Sequence, residues 1–141
     1  MVINTDFTNE EDFVLTPEGI QKVEVEDVYE QTSKTGKQMV VFELRAKNGG
    51  KLFHNCMNEE GIRWMLKKVL HAITGIKPPK GPVKIYENNL IGKELEVDVF
   101  HDDWNGTARA KVKDVVVPVE ETSPLEEEEH PVQKKKTKVP F

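Results

Sequence analysis

A small β-barrel carrying one main helix is the fold class this sequence predicts, and three features point to it. Apolar and polar residues alternate in five separate stretches, the period of half-buried strands. A single stretch of helical period lies between the third and fourth of them. A Gly-rich turn joins one pair of strands and an Asn-Gly dipeptide another, both hairpin signals.

Residues 1–15 read as an acidic arm, with Phe7, Phe13 and Val14 available to pin it to the barrel. Thr16-Pro17-Glu18-Gly19 is a turn in which proline presets φ. The first strand spans 20–29. Val23 and Val25 alternate with Glu24 and Glu26, but Val28 breaks phase because Asp27 takes the inward slot. One extra residue reads as a bulge, which sharpens the curvature a strand needs to serve both sides of a barrel.

The polar turn Ser33-Lys34-Thr35-Gly36-Lys37 leads into the second strand, 38–46. Val40, Phe42, Leu44 and Ala46 face one way there, and Met39, Val41, Glu43 and Arg45 the other. The third strand, 51–57, has two registers open to it. A two-residue turn at Asn48-Gly49 puts Phe53, Asn55 and Met57 in the core. A three-residue turn at Asn48-Gly49-Gly50 places Leu52 and Cys56 inside and leaves Phe53 and Asn55 outside with Arg45 and Val41. The second register uses both glycines and is the one adopted here.

Asn58 followed by Glu59 and Glu60 predicts a capped helix start, and Ile62, Met65, Leu66, Val69 and Ile73 form its apolar stripe. Gly75 stops the helix, and Pro78 and Pro79 forbid its continuation. Trp64 falls opposite the stripe, beside Lys68 and His71. It is expected to be covered by the Pro-rich excursion 76–91; stacking on a base is the competing role. In the fourth strand, 94–100, Leu95, Val97 and Val99 point inward. Residues 101–106 connect it to the fifth, 107–117, in which Ala108, Ala110 and Val112 face in and Arg109, Lys111 and Lys113 form an outward basic row. From 118 to 141 charge blocks without an apolar period predict a flexible tail, ending Val139-Pro140-Phe141. Three strands, a helix and two strands is the order of an OB-fold, a partly open five-stranded Greek-key barrel. A ferredoxin-like fold would need a helix after the first strand.

The chain is thus one domain, 16–117, with an arm and a tail. A single cysteine allows no internal disulfide, which fits a reducing cytoplasm. The first residues have neither a basic start nor an apolar core, so they do not read as a signal peptide, and no apolar run approaches the length of a membrane span. The formal net charge is −5, but its distribution is uneven: 1–30 carries −8, 118–141 carries −2, and 31–117 carries +5. A basic middle is compatible with a polyanionic ligand.

No phosphate-cradling loop, nucleophile elbow or helical metal pair is present, so no cofactor is expected. His54 and Cys56 with His71 or His101 could approach a zinc ion, but they lack a fourth ligand at family spacing. Glu43 with Asp98, Asp102 and Asp103 leaves a magnesium nuclease as a distant alternative. What converges is a stacking-and-charge surface. An OB-fold binds its ligand on strands two and three and on the loops joining strands one and two and strands four and five. Here those elements carry Lys34 and Lys37; Arg45, Phe53 and Asn55; and Trp104 with Arg109 and Lys111. Rings within a basic groove suit single strands, whose bases are free to stack. Trp104 could instead fold back onto the barrel end.

Thr16-Pro17-Glu18-Gly19, Ser33-Lys34-Thr35-Gly36-Lys37 before an apolar strand, Trp64 in the helix and Leu90-Ile91-Gly92-Lys93 before the fourth strand resemble a bacteriophage family. That family, long carried as a domain of unknown function, includes OB-fold single-stranded-DNA-binding proteins. The resemblance spans roughly residues 12–118. It implies a non-catalytic replication or recombination role in the cytoplasm of an infected bacterium. The terminal Val139-Pro140-Phe141 is similar to the Ile-Pro-Phe ending of bacterial single-strand binders, which implies docking of a polymerase, a helicase or primase, or a recombinase through Phe141. In this sequence the preceding residues are Lys136-Thr137-Lys138 and not acids. An oligomer is compatible with this reading. An OB-fold adaptor that binds protein instead of nucleic acid is the alternative.

Overall fold

One long strand organises the sheet. In the computed structural model, which describes residues 1–10, 13–118 and 141, β1 (Gly19–Thr32) pairs antiparallel with β2 (Gln38–Ala46) along its C-terminal part and with β4 (Glu94–Trp104) along its N-terminal part. β3 (Lys51–Met57) extends the sheet beyond β2, and β5 (Thr107–Val116) extends it beyond β4. The order is β3-β2-β1-β4-β5, five antiparallel strands in one sheet. The β1 register slips between Val25 and Asp27. This is the expected bulge, and it lets Val23, Val25 and Val28 all enter the core.

The sheet does not close into the expected barrel: β3 and β5 approach each other, but no ladder joins them among the described residues. α1 (Trp64–Thr74), between β3 and β4 in sequence, touches β3, β4 and β5. It inserts Leu66, Val69, Leu70, Ala72 and Ile73 into a core shared with Phe42, Leu44, Leu52 and Val97. Lys68 Nζ donates to the Asp114 carboxylate of β5 at 2.8 and 2.9 Å, a polar tie beside the open edge.

The structure shifts several local expectations. The β2–β3 turn comes one residue early, with Ala46 N–H donating to Gly50 O at 2.8 Å. The register slides by a full pleat, so the adopted face assignment survives: Leu52 and Cys56 are buried, Phe53 and Asn55 exposed. Gly50 is required there by contact, because a Cβ would stand 2.2 Å from Thr16 Oγ1 and 3.0 Å from the Val14 carbonyl. The helix begins at Trp64, not after Asn58. Gly61, at φ 87°, breaks the backbone that Asn58-Glu59-Glu60 would have started. Asn58 Oδ1 instead accepts from Arg63 Nε at 2.7 Å, and Glu59 Oε2 accepts from Gln38 N–H at 2.8 Å.

A second register slip, between Asp98 and Val99, leaves Lys113 unpaired and turns Val115 into the core, while Ala108 is exposed near the hairpin tip. Among the described residues no helix is long and apolar enough to cross a membrane. The charged tail lies outside the described residues except for Phe141, whose ring is 1% exposed within the core cluster. Its carbonyl accepts from Asn89 Nδ2 at 3.4 Å, in the short 3-10 turn Glu87–Asn89.

Candidate nucleic-acid interface

Alternation along β2 and β3 sets the outer face of the sheet. Across β1, β2 and β3 the rows run Glu24–Arg45–Lys51, Asp27–Glu43–Phe53 and Tyr29–Val41–Asn55. The predicted Arg45, Phe53 and Asn55 therefore share one surface. Phe53 is 54% exposed, an unusual position for a ring on a strand beside a core. Val41 lies on the same face but is buried between its neighbours, so it adds no accessible surface.

Two residues of this face were not singled out from the sequence. Tyr29 joins it because the bulge at Glu26 reverses the alternation downstream, a consequence readable from the Val25–Val28 spacing. Lys51 reaches it as the first residue of β3, and its Nζ stands 5.5 Å from the centre of the Phe53 ring. The cations here are committed. Arg45 Nε lies 2.9 Å from Glu26 Oε2, and Lys51 Nζ lies 2.9 Å from Glu43 Oε1. The hydrogen bond from Lys51 holds the Glu43 carboxyl below its ordinary range, despite some burial, and Tyr29 also bonds to it. Tyr29 is in turn pushed up, first by that bond to Glu43.

The other predicted residues lie elsewhere on the sheet. Gly19 is the last β1 residue paired with β4, at Val99, so the β4–β5 hairpin runs on beyond β1. At its two-residue Asn105-Gly106 turn, Trp104 ends β4 and is 56% exposed. The Arg109 guanidinium lies 5.2 Å from the indole ring. Arg109 and Lys111 both reach the Asp102 carboxylate, at 3.3 and 3.2 Å. The stacked ring with its cation is thus assembled by cross-strand pairing, and Trp104 is not folded onto the sheet. Lys34 and Lys37 stand on the turn after β1, at the opposite end from that hairpin. The turn is closed by Ser33 N–H to Lys37 O at 2.7 Å and Lys37 N–H to Ser33 Oγ at 3.0 Å, with both lysines exposed.

Among the described residues no cluster of three or more His, Cys, Asp or Glu side chains could hold a metal ion. Burial lowers His54 to about 4 and pushes the Cys56 thiol up to about 12, so each is held in its neutral form at pH 7. Phe141, expected to dock a partner, is buried within the core cluster. Trp64, expected to be covered, is 66% exposed. A comparison with protein-family models finds none that matches this chain, and a comparison with curated proteins finds no match.

Proposed function

We propose that this chain is an OB-fold protein that binds single-stranded DNA without catalysing a reaction on it, and that it serves phage DNA replication or recombination. The observation that carries this reading is the exposed Phe53 on the outer face of the β1–β3 sheet, flanked by Tyr29, Asn55, Arg45 and Lys51. A paired duplex hides the faces of its bases, whereas an unpaired strand can lay one on Phe53 and another on Trp104. Each stacked base contributes about 1–3 kcal/mol. Asn55 can satisfy base edges, and its amide discriminates weakly, in keeping with little sequence preference.

Phosphates have two sources of charge. Lys34 and Lys37 have no carboxylate partner among the described residues. Arg45, Lys51, Arg109 and Lys111 are held by Glu26, Glu43 and Asp102. Partly exposed ion pairs of this kind are worth about 1 kcal/mol each, so a phosphate can take over a cation at small cost. The order of strands, with one helix between the third and fourth, supports the OB-fold reading. Docking of a polymerase, a helicase or primase, or a recombinase through Phe141 would require that ring to leave its socket.

The test compares fluorescence anisotropy of labelled oligo-dT, the matching duplex and the matching RNA, with magnesium added in a parallel incubation. Single-strand binding that weakens with salt, with a slope of about −0.7 per phosphate contact, and an intact oligonucleotide are expected. Cleavage would replace this reading with the nuclease. The prior pairing of the face cations favours one second reading, an adaptor that binds protein. Recovery of the same partner before and after nuclease treatment, with no oligo-dT binding, would establish it.

A further inference from the structure

Between α1 and the segment 78–85 runs a groove of about 810 Å³ that the sheet face does not include, lined by Arg63, Trp64, Lys67, Pro78, Pro79 and Ile85. We infer that this groove is a second contact surface for the single strand, with Trp64 as its stacking platform; the inference rests on the function proposed above.

Charge distribution is the first ground. Residues 61–86 hold six bases and no acid. Of these, Lys68 is paired with Asp114, and Arg63 donates to the neutral Asn58. Among the described residues no carboxylate pairs with Lys67, Lys77, Lys80 or Lys84. The cations of the sheet face, by contrast, are largely neutralised where they stand. Uncommitted positive charge therefore lies along this segment, which is where a polyanion gains most by releasing counterions.

Shape is the second ground. Trp64 is 66% exposed at the first turn of α1, and Tyr86 is 56% exposed at the end of the segment. Exposed planar rings among unpaired lysines suit a strand of bases; a peptide of carboxylates offers the lysines a partner but offers the indole nothing flat to stack on.

Continuity is the third. A neighbouring groove of about 590 Å³ is lined by Tyr29 of the sheet face and by Tyr86, and it shares Asn58, Val83 and Ile85 with the Trp64 groove. The two grooves adjoin, so a strand that passes Tyr29 is led towards Trp64. Glu30 and Glu87 line the intermediate stretch, so its contacts are expected to come from rings more than from phosphates.

The experiment uses the full chain with Trp104→Phe, which leaves Trp64 as its only indole. Oligo-dT is expected to quench that emission. Trp64→Ala in the otherwise unaltered chain is expected to weaken oligo-dT binding about 5- to 150-fold. Lys80→Glu and Lys84→Glu, both at exposed positions, are each expected to reduce the salt slope by about 0.7. Circular dichroism and a melting curve on each variant confirm that the fold is kept. Oligo-dT binding that leaves Trp64 emission, affinity and salt slope unchanged would overturn this inference while the proposed function stands. An absence of oligo-dT binding in the unaltered chain would overturn both. Quenching of Trp64 by a peptide of residues 118–141, with none by oligo-dT, would assign the groove to acidic peptide instead.

Discussion

Lowering the pH from 7 to 4.5 is expected to remove about 2 kcal/mol of stability through one side chain, His54. The imidazole lies on the inner side of β3, its Nε2 is buried without a partner, and burial lowers its pKa from 6.5 to about 4. Asp114 favours the charged ring but is itself occupied by Lys68, and it offsets only part of that effect. Between these two values the unfolded chain binds a proton that the folded chain refuses. Stability is therefore complete above pH 6.5, falls as the pH drops towards 4, and loses nothing more from this group below that. Glu43 and Asp114 behave differently. Their folded values are depressed, each chiefly by a lysine hydrogen bond, so their contribution is lost only as acid passes below the ordinary carboxylate range. The window from 6.5 to 4.5 isolates the histidine. Urea denaturation at half-unit pH steps, on the unaltered chain and on His54→Leu, reads it directly. The variant's profile is expected to be flat where the parent's slopes. Parallel profiles down to pH 4.5 would refute the burial argument.

Three further outcomes follow from packing. Gly50→Ala is expected to lower the unfolding free energy by about 1–3 kcal/mol, because its methyl must displace buried Thr16 or the Val14 carbonyl; an unchanged urea midpoint would show that the N-terminal segment does not cross the hairpin there. Cys56 should resist a thiol reagent at pH 8 in the native protein and react at once in denaturant, since its thiol is buried and raised to about 12; rapid native labelling would place β3 in the other register. Phe141→Ala should cost about 2–3 kcal/mol in the same denaturation assay, the usual worth of a fully buried ring; a loss below about 0.5 kcal/mol would mean that the terminal ring does not occupy the core.

The succession of three strands, a helix and two strands along the chain and the β1 bulge were legible in the sequence because each follows from local periodicity. Val28 standing three residues after Val25 required an extra residue, and the backbone supplies it. The same spacing recurs between Val112 and Val115, where it marks the second bulge. The exposed side of β3 was legible too, since pleat parity survives the two-residue slide that moved the turn. Other features depend on parts of the chain distant in sequence. Nothing near Arg45 or Arg109 announces that Glu26 or Asp102 will neutralise it, because cross-strand pairing decides that. Trp64 was expected to be covered by the Pro-rich excursion 76–91; Val83 and Ile85 of that excursion line a groove together with Trp64 and leave the ring exposed. Phe141 is buried in the core cluster, and its carbonyl is held by Asn89, more than fifty residues away in sequence.

The affinity of Phe53→Ala for oligo-dT, measured by anisotropy beside the unaltered chain and Trp104→Ala, tests the central claim most directly. Both side chains are more than half exposed, so neither substitution should move the melting temperature by more than a degree or two. Each is expected to weaken binding about 5- to 150-fold, the loss of one stacked base. Equal affinity in all three proteins would contradict the account, because neither Phe53 nor Trp104 would then be stacking a base.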